Sequence, residues 1–289
     1  MTQPKYELLR DQTITVEDRT LCRIRALRDF GSVKAGDLGG YIQRESNLSH
    51  EGDCWVSDDA SVWHNAVVSG DAVISDSANV GGRAVVAGLA KVSGCAMLLG
   101  NPVIDGEAVV GGDARILGDA SVVEFAQVNA NAKVCGNALI SGQAQVGANA
   151  TISGHAWVSG EATVKGRAQV GGKARVSGKA WVGGEARIRD EASINGNAMA
   201  CRDAWIVGNA AIEGNTVLTG GVHTGTATNP AEPLRAQAVE LQAQAKAHQA
   251  QAKAYQAQAA EILKRAAALE SQGSLEAQGS LEAASAPGM

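Results

Sequence analysis

Through most of this chain the apolar positions keep a six-residue beat. Every sixth residue from Val56 to Leu218 is Val, Ile or Leu at 27 of 28 positions, and Ala200 is the exception. Every sixth residue from Ala60 to Ala210 is Ala at 25 of 26 positions, and only Pro102 departs. A glycine commonly stands two residues after the aliphatic one, as at Gly70, Gly88, Gly94 and Gly154. Residues two apart lie on the same side of an extended strand, so each Ala and the Val that follows it share a face. β-Branched residues suit such a strand, and glycine permits the tight corner that ends it. Six residues thus form one side of a prism, and three sides close a coil. With coils stacked at roughly 4.8 Å, the pattern predicts about nine of them in a rod about 45 Å long.

The hexads resemble those of the hexapeptide-repeat transferases, whose motif is an aliphatic residue followed four positions later by a small one. Val158 then Ala162, and Val176 then Ala180, show it here. The resemblance covers residues 54–218 and implies an all-β solenoid, a left-handed parallel β-helix. It also implies a homotrimer and an acyl-CoA-dependent acyltransferase activity. The stretch RIRALRDFGSVKAGDLGGYIQRESNLSHEGDCWV, starting at Arg23, resembles the N-terminal region of uncharacterised bacterial and prophage-borne proteins of this type. Some of those are called acetyltransferase-like, and the likeness implies a phage or prophage origin.

A solenoid exposes backbone at both ends and needs caps. Residues 1–53 are read as an N-terminal capping domain, 54–221 as the β-helix and 222–230 as a linker. Beyond it the period changes to seven. Leu234, Leu241, His248, Tyr255, Ile262 and Leu269 recur at heptad spacing, with Ala238, Ala245, Ala252, Ala259 and Ala266 four residues after each of the first five. That large–small alternation predicts a coiled-coil helix over 231–270. It suits either self-association, the reading preferred here, or a single helix lying on the solenoid. Residues 271–289, with QGSLEA twice in tandem, are expected to be a disordered tail.

Composition changes little in this picture. Only 3% of residues are aromatic and 35 are glycine, which suits small repeating layers. The 5 cysteines are dispersed without CxxC spacing, so reduced thiols, no disulfide frame and no metal site are expected. No run of roughly 20 apolar residues is present and the N-terminus is charged, so the chain reads as a soluble cytoplasmic protein without a membrane span. The net charge of −5 disfavours general nucleic-acid binding.

An eighteen-residue coil sorts the outward side chains into columns. Val67, Val85, Val103, Ser121, Leu139 and Trp157 share one, an apolar stripe read as an oligomer interface together with Leu234, Leu241, Tyr255 and Ile262. His155, Lys173 and Glu191 share another, with Arg187 and Arg189 on the neighbouring strand and Trp205 one coil beyond Arg187. In a binding role Lys173, Arg187, Arg189 and Trp205 hold the ligand. In an enzymatic role His155 is the general base and the basic residues hold the phosphates of acetyl-CoA or another acyl-CoA. Acyltransferases of this fold usually extrude a loop from the coils, and residues 54–218 contain no such insertion. The leading expectation is therefore a non-catalytic, homo-oligomeric scaffold or binding protein without a cofactor, a trimer by preference. Its partner would be another protein or a small nucleotide-like molecule. The alternative is a trimeric acyl-CoA-dependent acyltransferase.

Overall fold

The computed structural model describes residues 4–224 together with Ala245, Lys246, Gln249, Gln251, Lys253 and Gln256. Strands β1 (Tyr6–Val16) and β2 (Arg19–Ala26) form an antiparallel hairpin. Glu17 and Asp18 turn it with φ of 43° and 61°. Strand β3 (Leu38–Ile42) pairs antiparallel with β2 on one edge and parallel with Ser61–Val62 on the other. The hairpin thus continues one face of the solenoid, and the first parallel rung is already present at β3.

From Trp55 onward the short strands, most of two residues, pair parallel with the strand eighteen residues later, as Val67–Val68 does with Val85–Val86. Three sheets result: a first face of 13 strands including the hairpin, a second of 9 that starts at Val67, and a third of 10 that starts at Trp55. The protein is an all-β parallel solenoid of about ten turns. Its interior is the two sequence columns: Val80, Val110, Val164 and Ile188 are sealed from solvent, as are Ala78, Ala108, Ala162 and Ala186. The alanines sit where the chain leaves each corner, where a larger side chain would crowd its neighbours.

The corners explain the glycines. The residue two after each aliphatic usually has positive φ, and corners of successive coils stack backbone on backbone. At Gly184 (φ 65°) an added Cβ would lie 2.5 Å from the Arg202 amide nitrogen. The following residue then donates its N–H to the stacked corner carbonyl, as Asn137 does to Gly154 O (2.7 Å) and His155 to Gly172 O (2.7 Å). This bond holds the eighteen-residue register.

The N-terminal end is sealed by Tyr6, Leu21, Ile24 and Phe30. The Tyr6 hydroxyl lies 2.8 Å from Leu48 O and 2.9 Å from Glu45 O. Burial, reinforced by nearby Glu45 and Cys54, pushes its phenol far above the ordinary range. Among the described residues no buried side-chain nitrogen or oxygen lacks a partner. No helix among them is long and apolar enough to cross a membrane.

The second face differs from the other two in being dry on its outside. Val67, Val85 and Val103 are 2–4% exposed, and Leu139 and Trp157 are 5% and 8%. Outward residues elsewhere, such as Arg115, Lys133 and Gln145, are exposed. Part of the cover comes from the chain's own C-terminal helix. Ala245 packs against Val123, Leu139 and Trp157, and Gln256 Nε2 donates to Asn101 O (3.2 Å). The helix thus runs back along the rod, from the rungs of Leu139 and Trp157 towards that of Asn101. Leu139 and Trp157, two residues of the stripe, thus meet the helix of their own chain. The heptad residues Leu234, Leu241, His248, Tyr255, Ile262 and Leu269 and the tail 271–289 lie outside the described residues.

Candidate functional site

The column that contains His155 is longer than Lys173 and Glu191 suggest. Counting back by eighteens, Asn65, Arg83, Asn101, Asp119 and Asn137 occupy the same corner, between the first and second faces. Each donates its backbone N–H to the corner carbonyl of the next coil: Asn65 to Gly82 O (2.8 Å), Arg83 to Gly100 O (2.6 Å), Asn101 to Gly118 O (2.8 Å). The bonds stack the side chains at coil spacing. Asn101 Nδ2 donates to Asp119 Oδ1 (2.8 Å), which fixes the middle of this ladder.

The helix makes the opposite wall. Gln249, Lys253 and Gln256 face the ladder across a cavity of about 790 Å³, whose floor includes Val85, Val103, Ser121 and Leu139. Arg83 and His155 reach into this space, and Lys253 does so from the helix side. Among the described residues the His155 ring makes no hydrogen bond and has no carboxylate partner to orient it. The groove offers amide donors and acceptors, two fixed cations and one carboxylate above an apolar floor. That set can recognise an elongated polar molecule bearing negative charge.

Pro102 marks the centre of the site. It lacks the N–H that Ala84 donates to Gly81 O (3.4 Å) at the equivalent position one coil earlier. The strand before it lengthens to Met97–Gly100 and pairs with a second long strand, Arg115–Gly118. The Asn101 carbonyl at this altered corner receives the Gln256 amide. The one break in the alanine column therefore coincides with a helix contact.

The structure keeps these residues in the columns that the sequence assigned, and the groove takes in one of them. His155 lines the groove; Lys173 is one coil beyond and forms an ion pair with Glu191 (2.9 Å). Arg187, Arg189 and Trp205 lie on the first face, round the corner from the groove. Arg187 is in register with Trp205, and Arg189 Nη2 donates to Gln169 Oε1 (3.0 Å). Two further cations of these coils are also paired, Arg167 with Glu185 (3.5 Å) and Lys179 with Glu161 (3.4 Å). Val67, Val85, Val103, Leu139 and Trp157 form the dry face that the helix partly covers. Asn65, Arg83, Asn101, Asp119 and Asn137 were not singled out in the sequence, although the eighteen-residue count that linked His155 to Lys173 reaches them. Gln249, Lys253 and Gln256 carry no such signal, because no periodicity says what a helix rests on.

A family model described as YdcK β-solenoid repeat matches residues 168–184. A protein of Escherichia coli (strain K12) called uncharacterized acetyltransferase YdcK is 38% identical over 73 residues, which cover 22% of this chain and 22% of that one. The chain therefore spans about a fifth of the length of the curated relative it matches. Both matches are consistent with a β-solenoid of hexapeptide-repeat, acetyltransferase-like type. The repeat match falls on coils beyond His155 and includes none of the groove residues.

Proposed function

We propose that the protein is a non-catalytic β-solenoid binding protein whose ligand lies in the groove between the corner ladder and the C-terminal helix. The ligand is a small, elongated, anionic molecule of nucleotide type. The observation that supports this reading is the ladder itself: Arg83, Asn101, Asp119, Asn137 and His155 at coil spacing, with Lys253 opposite. Arg83 and Lys253 bind the anionic groups, the amides read the polar ones, and the floor of Val85, Val103 and Leu139 takes an apolar part. His155 has no orienting carboxylate among the described residues, which favours binding over proton transfer.

The second reading is an acyl-CoA-dependent acyltransferase, favoured by the partial match to a protein called an acetyltransferase. In that reading the same groove holds the acyl-CoA and His155 takes the proton of the acceptor. Calorimetric titration of the intact protein with acetyl-CoA and with adenosine diphosphate tests both readings. Saturable binding weakened by about tenfold or more in Arg83→Ala and Lys253→Ala is expected, since a charge-assisted contact is worth about 1.5–3 kcal/mol. No heat with either ligand at high micromolar concentration would refute the nucleotide-type ligand. Acyl transfer to an amine or hydroxyl acceptor that vanishes in His155→Ala would favour the enzyme. The mass of the protein in the same buffer reports its assembly, for which a homotrimer is expected.

A further inference from the structure

The N-terminal end of the solenoid holds a lysine and a cysteine withdrawn from water together. Lys5 and Cys54 are both 0% exposed. Lys5 Nζ lies 3.2 Å from Cys54 Sγ, 2.9 Å from Cys54 O and 3.2 Å from Gly52 O, and 5.0 Å from the centre of the Phe30 ring. A fully buried lysine is uncommon, and this one is aimed at a thiol. The Sγ atom has only weak contacts besides it, to Ser49 O (3.5 Å), Glu51 O (3.7 Å) and Val68 O (3.8 Å). None of Cys22, Cys95, Cys135 and Cys201 makes such a contact with a lysine among the described residues. Glu51, Gly52 and Asp53, which cover the pair, are exposed. Both side chains are sealed in the folded state, so an oxidant reaches the sulfur when the exposed turn over residues 51–53 opens.

We propose that Lys5 and Cys54 are a modification site, joined under oxidation by an N–O–S bridge that fastens the N-terminal strand to the first rungs. The oxidant is a peroxide. One equivalent converts the Cys54 thiol to a sulfenic acid with release of water. A second converts the Lys5 amine to a hydroxylamine, again with release of water. The two products condense with loss of a third water: Lys–NH2 + Cys–SH + 2 H2O2 gives Lys–NH–O–S–Cys + 3 H2O. Sulfur and nitrogen each lose two electrons, and the two peroxides accept the four. The Lys5 amine, 3.2 Å from the sulfur, is the partner already in place for it. The link closes a loop between residues 49 positions apart and fixes β1 to the solenoid.

The test uses the full-length protein, treated with dilute hydrogen peroxide and compared with a sample kept in reductant. The bridge adds one oxygen and removes two hydrogens, a gain of about 14 Da, where a sulfenic acid adds about 16 Da. Trypsin should fail to cut after Lys5, and the peptide carrying Lys5 should be recovered linked to the one carrying Cys54. The melting temperature should rise, and reductant should reverse all three changes. Cys95→Ala should keep the link and Cys54→Ser should lose it. A Cys54 that gains about 16 or 32 Da while trypsin still cuts after Lys5 overturns the proposal. So does a Cys54 that stays unmodified while exposed Cys95 is oxidised.

Discussion

Replacing Leu139 by glutamate separates the two faces of one strand. The Leu139 side chain points outward, 5% exposed, beside Val123 and Trp157 and beneath Ala245. Its neighbour Ile140 points inward and is fully sealed. Burying a leucine is worth about 1.5–3 kcal/mol, and a carboxylate in its place would lose the contacts with Val123, Trp157 and Ala245 and, at 5% exposure, much of its hydration. Outside the rod that hydration is available if the helix leaves. The expected outcome is therefore release of the helix, with the solenoid intact. A penalty of about 3 kcal/mol on the docked state shifts the docked-to-released ratio by about a hundredfold or more. Hydrogen exchange resolved by peptide reports it: amides over residues 245–256 should lose protection, while Ile116, Val134, Ile152 and Val176 keep theirs. Leu139→Met, which preserves volume, should leave the helix protected. Unchanged protection over 245–256 in the glutamate variant would refute the docking. So would simultaneous loss across the neighbouring rungs, since the outward side chain would then be holding the core.

Three other outcomes follow from the corners and the cap. Gly184→Ala, at φ 65° with a Cβ 2.5 Å from Arg202 N, should cost about 1–3 kcal/mol in chemical denaturation. Gly208→Ala has a similar φ of 67° but nothing within 4 Å, and should cost less. Tyr6 is a phenol whose folded value is raised, so its stabilisation is complete below its unfolded value near 10 and declines as pH rises above it. An alkaline melting series should show about 1.4 kcal/mol lost per pH unit from this group, a slope absent in Tyr6→Phe. Glu45 is the opposite case: the hydrogen bond from His50 (3.0 Å) holds its carboxyl below the usual 4.5. Its contribution is present above that value and is lost as pH falls through the folded one. Glu45→Gln should flatten the acid limb by less than about 1 kcal/mol, because the pair faces water.

The interior of the rod was legible because each buried position repeats, and a repeat that never loses phase leaves only one inside. The caps and the helix were less so, because they occur once. The heptads of the C-terminal helix specify an apolar stripe but not its partner, and a flat face of Val85, Val103 and Leu139 can receive that stripe as a second helix can. Ala245, one of the small seam residues, is found against the solenoid. The apolar column was identified, and a helix lying on part of it was one of the two readings the heptads left open. Likewise Pro102 was visible as a lapse in the alanine column, but that the carbonyl before it would receive Gln256 depends on where the helix lies. Lys5 reads as an ordinary charged N-terminal residue. Its burial follows from long-range contacts of the residue just before β1 with Gly52 and Cys54, which no local pattern encodes.

The stacked corners also limit how such a chain can change length. Each corner turns the chain through a third of a revolution, and the bond from one coil's amide to the next coil's carbonyl admits no slack. Removing six residues between the groove and the far end would rotate every later strand onto a different side of the rod. Trp205 would leave the first face, and so would the last described strand, Val222–Thr224. Removing eighteen would shorten the rod by one coil and return each side chain to its own side. Length in this molecule is therefore counted in whole coils, and the site survives only those edits that respect the count.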